Sequence, residues 1–174
     1  MADDSGAPAA QIDWLTTTST TAVSPVLAQW KKRAGSRLGR WLFARAVCRK
    51  APFFAAIQPR FIELAPAICR ASIPKRRAVE NHLGTVHALA MGTLCELVAG
   101  MVTEVTIPDS MRWIPRGMTI EYLRKAETDL AAECRLPAIE EGKAQDVPIT
   151  VEIKDAGGTT VCKAVITMYV SPRK

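Results

Sequence analysis

The chain is predicted to be an α+β protein, with one long apolar helix covered by an antiparallel sheet and a helical extension ahead of both. Three observations predict it. Residues 81–103, NHLGTVHALAMGTLCELVAGMVT, are the most apolar stretch of the sequence and carry a helical rhythm. Downstream, short runs rich in β-formers follow one another, and the last two flank Ala156-Gly157-Gly158, a hairpin signal. Upstream, residues 25–51 repeat apolar side chains at helical spacing among basic ones. A helix that is apolar nearly all round needs a sheet to cover it.

Taken from the N-terminus, residues 1–24 are rich in Ala, Thr, Ser and Asp, which predicts a mobile arm with Trp14 and Leu15 as its anchor. Residues 25–51 predict one basic amphipathic helix, with Leu27, Trp30, Ala34, Leu38 and Trp41 on its apolar side; Gly35 and Gly39 weaken it. Residues 52–174 form the domain. In it, residues 61–71 read as extended segments interrupted by Pro66, followed by the basic loop Lys75-Arg76-Arg77. The central helix is expected from about Thr85 to Val102. After it, residues 102–107 (VTEVTI), 118–125 (MTIEYLRK), 129–136 (DLAAECRL) and the pair VPITVEIKD and TVCKAVITMYV are expected as strands.

Composition narrows the function classes. Hydrophobic residues at 48% and charged ones at 23% fit a globular domain and exclude a disordered or collagenous chain. The acidic start MADDSGAPAA lacks a basic n-region and apolar h-region, and Glu96, His87 and glycines interrupt the apolar run, so neither a signal peptide nor a membrane span is expected. A cytoplasmic protein is the expectation. Five cysteines, widely spaced and without a CxxC pair, support neither a disulfide framework nor a zinc site, and His82 and His87 lack the HExxH pattern. The net charge of +6 is concentrated in residues 25–62, which contain no acidic residue. Such a patch suits an anionic membrane surface, substrate phosphates or nucleic acid, or is simply a solvated face; no nucleic-acid motif accompanies it.

Glu96 stands out chemically. Apart from Cys95 and the two histidines it is the one ionisable side chain of the apolar stretch, so it must be exposed, paired, or held in an apolar setting that raises its pKa and makes it a general base. Val86, Ala90, Leu94, Leu97 and Met101 form the stripe expected to face the sheet. Glu96 lies on another stripe, beside the small residues Gly92, Thr93, Ala99 and Gly100, where a substrate can approach. Before the helix, Asn81, Gly84, Thr85 and His87 make a polar loop whose free amides can hold an oxyanion, although the same residues also serve as turns and caps. Eight residues separate Ala88 from Glu96, about 12 Å along a helix. One helix cannot bring both to one carbonyl, so a functional site here implies two antiparallel copies about a two-fold axis.

The segment N-x-x-G-T-V-H-A followed by L-C-E-L resembles the PaaI-like branch of the hotdog-fold acyl-CoA thioesterases, whose N-x-x-G-x-x-H-G-G loop precedes a helix bearing an acid. Fifteen residues separate Asn81 from Glu96, as in that pattern. G-M-T-I-E-Y-L-R-K-A (117–126) is similar to the family's following strand, and A-P-F-F-A-A-I to a less characterised branch with a preceding basic helix. The resemblance implies a hotdog fold, a homodimer with a dimer of dimers open to it, and thioester hydrolysis between subunits with no cofactor beyond the coenzyme A of the substrate. By position, Asn81 would orient water or thioester, Ala88 or Leu89 would give an amide to the thioester oxygen, His87 would shape the helix start, and Glu96 would be base or nucleophile. Ala88-Leu89 replaces the family's Gly-Gly.

Gly84, Gly92 and Thr93 are expected to line the substrate, and Arg76, Arg77, Arg124 and Lys125 to meet coenzyme A phosphates. The alternative is a non-catalytic acyl-CoA or lipid-binding hotdog protein, weakly associated with a membrane surface.

Overall fold

The computed structural model describes residues 24–173; the predicted arm at residues 1–24, with Trp14 and Leu15, lies outside them except for Ser24. Two helices, α1 (Pro25–Arg33) and α2 (Arg37–Lys50), are followed by a 3-10 turn at Pro52–Ile57. Strands β1 (Arg60–Ala65) and β2 (Ile68–Ile73) come next, then helix α3 (Ala88–Thr106) and strands β3 (Met111–Tyr122), β4 (Leu130–Arg135), β5 (Gln145–Lys154) and β6 (Thr160–Pro172). All six strands pair antiparallel in the order β1-β2-β4-β5-β6-β3, and α3 lies against the sheet. This is the helix-wrapped layout expected of the hotdog fold.

The single basic helix predicted at 25–51 is two helices. The chain breaks at residues 34–36, where Ser36 caps α2 by accepting a hydrogen bond from Gly39 N at 3.0 Å. Gly39 does more than weaken the helix: a Cβ there would lie 2.2 Å from the carbonyl oxygen of Arg33, so only glycine lets the end of α1 cross α2 this closely. Trp30 of α1, Phe43 of α2 and Phe61 of β1 then meet as an aromatic triad, with ring centroids 5.1–6.2 Å apart. The triad joins the N-terminal layer to the same core as the sheet.

Three boundaries differ from expectation, the first being the strand expected at 118–125, which is β3 at Met111–Tyr122. Residues 102–106 are helix, not strand: Val102, Thr103 and Val105 are buried against the sheet, and the Thr103 hydroxyl donates to Ala99 O at 2.7 Å, so packing overrides the β-branched propensity until Pro108 stops the helix. At the other end α3 starts at Ala88 rather than near Thr85, because Val86 N donates to Ala126 O and Val86 bridges Glu80. The 19-residue α3 is long and apolar enough to cross a membrane, contrary to the expectation that glycines and Glu96 would disqualify it. Its burial beneath the sheet marks it as the core helix. The β1–β2 turn falls at Pro66 and Ala67, the latter at φ 64°, and the Gly157-Gly158 turn joins β5 to β6 as read from the sequence.

Candidate active site

Glu96 is exposed on the flank of α3, whose neighbouring positions are buried. Every ion pair of the described residues lies elsewhere. Two turns further along the same stripe, Glu104 accepts a hydrogen bond from Trp113 Nε1 at 2.8 Å and is thereby occupied. Glu96 has no such indole above it, which leaves it open to water or a substrate. Its neighbour Cys95 is fully buried, and a hydrogen bond with Cys162 together with burial pushes its thiol well above the ordinary value, so it is held as a neutral thiol rather than a nucleophile.

Glu96 lines a cleft of about 540 Å³ between α1, α2 and the 3-10 turn on one side and α3 with the start of β3 on the other. Val26, Val47, Phe54, Leu97, Met101 and Trp113 give it apolar walls. Sequence reading missed Val26, Val47, Phe54 and Trp113, and assigned Leu97 and Met101 to the sheet-facing stripe although they line this cleft. The apolar PFFAAI run and the amphipathic spacing around Trp30 were visible, but nothing local says that α2 folds back over α3.

The loop ahead of α3 is built around Asn81. Its Oδ1 accepts from Leu83 N at 2.9 Å and Thr85 N at 3.2 Å, and its Nδ2 donates to Thr85 Oγ1 at 2.9 Å. Gly84 provides the left-handed residue of that turn, at φ 73°. The carbonyl end of Asn81 is therefore used up by the loop, and one N–H remains for a ligand. His87 caps α3: its Nδ1 accepts from Leu89 N at 3.0 Å. The two amides anticipated at the helix start therefore differ. Leu89 N–H is taken, whereas Ala88 N–H has no acceptor among the described residues. The Leu89 side chain is 72% exposed. Tyr122, at the end of β3, donates to Ala88 O at 3.3 Å and so ties the edge strand to the first turn of the helix.

Of the small residues beside Glu96, Gly92 and Thr93 do not open onto the cleft, whereas Gly100 is part of its lining. A Cβ on Gly92 would meet the Met118 and Ile120 side chains at 3.5 and 3.9 Å, and one on Gly100 would meet the Trp113 ring at 3.0 Å. Thr93 is buried and returns its hydroxyl to Leu89 O at 2.8 Å. These residues let β3 lie on α3. Of the basic residues, Arg76 turns inward: its guanidinium donates to Ala56 O, tying the 3-10 turn to the loop before α3, and its Nε is buried without a partner. It is a structural arginine rather than a phosphate ligand. Arg77 is 92% exposed, with only a 3.9 Å contact to Glu80. Arg124 and Lys125 are exposed on the loop that reaches the helix start through Ala126 O. Among the described residues no three His, Cys, Asp or Glu side chains group to hold a metal ion.

The family known as Domain of unknown function DUF4442 matches residues 39–170. A crystal structure of a structural-genomics target with no stated activity is 37% identical, with a TM-score of 0.74, over 85% of this chain and 98% of that one. A Pseudomonas aeruginosa protein of unknown function, designated a probable thioesterase, is 24% identical over 76% of this chain and 95% of its own, with a TM-score of 0.68. A thioesterase from Haemophilus influenzae is 11% identical, with a TM-score of 0.64 over 73% and 87% of the two chains. No curated protein matches the sequence. The family match runs from within α2 to the end of β6, so the chain belongs to the DUF4442 family, and it shares the hotdog fold of these solved structures.

Proposed function

We propose that this protein is a cytoplasmic acyl-CoA hydrolase that works without a metal, at sites shared between two copies of the chain. The observation that carries the reading is the pairing of an uncommitted carboxylate, Glu96, with an uncommitted helix amide, Ala88 N–H, on one rigid helix. They are eight residues apart on α3, about 12 Å, so each needs the other's counterpart from a second helix.

β3 supplies a route to that second copy. It is a 12-residue strand at the sheet edge, and it exposes Ile114, Met118 and Tyr122. An unpaired apolar edge invites another strand, and pairing β3 with β3 about a two-fold axis gives each subunit the same interface. Leu89 sits beside that edge through the Tyr122 bond to Ala88.

In the resulting cleft the Glu96 carboxylate takes a proton from water, or attacks the thioester carbon itself, while the partner's Ala88 N–H stabilises the oxyanion. Asn81 has one N–H left to hold the water or thioester oxygen. Collapse of the tetrahedral species expels the coenzyme A thiolate, which takes up a proton; on the nucleophilic route this leaves a mixed anhydride on Glu96 that water then hydrolyses, releasing the acid and the free carboxylate. Arg77, Arg124 and Lys125, exposed on the loops that flank the helix start in sequence and pairing, would meet the phosphates of coenzyme A.

The test is thiol release from short, long and aromatic acyl-CoA substrates by the native chain and by Glu96→Gln. A loss of about 10²- to 10⁴-fold in kcat with fold and dimer intact supports the reading; no hydrolysis across the panel by folded native dimer overturns it.

A second reading is favoured by one observation. Leu38, Trp41 and Leu42 on α2 and Phe53 after it are 45–73% exposed, on a layer otherwise dominated by Arg and Lys. Such a face suits an anionic bilayer, as in a non-catalytic acyl-CoA or lipid-binding protein at a membrane surface. Flotation with anionic vesicles, lost in a Leu38→Ser/Trp41→Ser variant, together with silence toward every thioester, would favour it.

A further inference from the structure

We infer that the cleft between the N-terminal helices and α3 is the acyl-chain chamber, taking an extended aliphatic chain of about ten carbons. Placing the thioester at Glu96 rests on the thioesterase reading; the chamber itself does not. Its volume of about 540 Å³ lies within the range of small-molecule sites. Its walls come from five separate elements and are mostly apolar, while its acidic groups are Glu96 and Glu104 on one stripe of α3. Eight residues separate them, about 12 Å of helix. An extended hydrocarbon advances about 1.25 Å per carbon, from bond lengths near 1.5 Å at tetrahedral angles, so about ten carbons run from one acid to the other.

At the far end the acid is engaged by an indole rather than free for a charged occupant. Glu104 is turned to Trp113, and the indole lies across Gly100 midway along the stripe, where a Cβ would come within 3.0 Å of the ring. The ring thus forms an apolar wall rather than leaving a polar floor. Cations stand at the margin instead: Lys50 is exposed, and Arg33, half-buried, is hydrogen-bonded to Gln29. An apolar chain inside with an anionic head outside matches that distribution, as in an acyl-CoA or the carboxylate it releases. A neutral or doubly charged elongated ligand does not. The cleft is also where this chain differs from a bare helix-and-sheet domain: α1 lies wholly ahead of the family match at residues 39–170, yet it supplies part of the wall.

The experiment uses S-alkyl-CoA thioethers from butyl to dodecyl, which cannot be hydrolysed, with binding measured by calorimetry on the full chain. Affinity is expected to rise about fourfold per methylene, roughly four-thousandfold from butyl to decyl, and to level off near ten carbons. Ala46 is exposed on the cleft wall, so Ala46→Trp fills the chamber without disturbing the core; Val47→Trp is the second filling variant. In either, confirmed folded by circular dichroism, the decyl-to-butyl affinity ratio is expected to fall at least tenfold. A ratio near one in the native chain, or an unchanged ratio in both variants, overturns the inference and leaves the cleft to residues 1–23 of this chain or to a second copy. Length-dependent binding without hydrolysis of any acyl-CoA would refute the thioesterase reading while the chamber stands. Hydrolysis that is indifferent to chain length and to Ala46→Trp would refute the chamber alone.

Discussion

The shared site can be tested by complementation between two inactive chains. Glu96→Gln removes the proposed base. Ala88→Pro removes the amide, and the structure says that it does so at little cost to the fold: Ala88 is the first residue of α3, its N–H has no acceptor among the described residues, and the preceding His87 has φ −64° and ψ 141°. Proline is favoured at the first helical position, and an extended conformation before it is what its ring requires. Each variant alone is expected to lose about 10²- to 10⁴-fold in kcat, from loss of a base or of an oxyanion donor. If the two groups act across the interface, a mixed dimer contains one doubly damaged site and one intact site. Equal amounts of the two chains, allowed to exchange, give half mixed dimers and so about one quarter of native activity. Thiol release from the re-equilibrated mixture measures this directly, with Ala88→Gly, which keeps its N–H, as the control. Activity of the mixture no greater than the mean of the two variants would refute the shared-site argument, because no arrangement within one chain then yields recovery.

Three further outcomes follow from the geometry. Gly39→Ala places a methyl 2.2 Å from a backbone oxygen that no rotamer change can move, so a loss of about 1–3 kcal/mol is expected; an unchanged melting temperature would show that the α1–α2 crossing does not matter. Burial pushes the Cys134 thiol up to about 12, so the unfolded state ionises first and stability falls as pH rises from about 9 toward 12, by on the order of 4 kcal/mol. The stability difference between the native chain and Cys134→Ala should therefore shrink over that window, and a constant difference would contradict the assignment. Asn81→Ala frees two backbone amides in the loop before α3 and should lower stability by about 1–3 kcal/mol together with activity, whereas Glu96→Gln should leave the denaturation midpoint unchanged; equal stability of Asn81→Ala would argue against the loop role of Asn81.

What the sequence disclosed depended on the range of the interaction responsible. The wrapped helix, the hairpin at residues 156–158 and the break at Pro66 are signalled by neighbours a few residues apart, and the structure has them. The strand expected at residues 102–107 failed because β-branched residues were judged by propensity, while Val102, Thr103 and Val105 are decided by burial under the sheet. The same limit applies at the site. Glu96 and the helix start could be picked out by isolation and spacing, yet spacing could not tell that His87 Nδ1 takes the Leu89 amide or that Arg76 reaches back to Ala56. Those are orientations of side chains, and a residue type does not specify them.

The glycines of α3 carry the same lesson to a functional consequence. Beside the isolated acid, Gly92 lies under the Met118 side chain, and Gly100 lines the cleft only as far as the Trp113 ring allows. Clearance at Glu96 is created instead by the N-terminal layer, which arches over the helix and leaves the cleft beneath. The helix and sheet supply an acid and an amide that would hydrolyse a thioester of any length, whereas α1, α2 and the 3-10 turn set the length of chain that fits. Because these roles lie on different segments, substitutions at Ala46 or Val47 should alter chain-length preference through KM, while Glu96 and Ala88 should act through kcat. A change in kcat at fixed chain length on filling the cleft would mean instead that the N-terminal layer also positions the reacting groups.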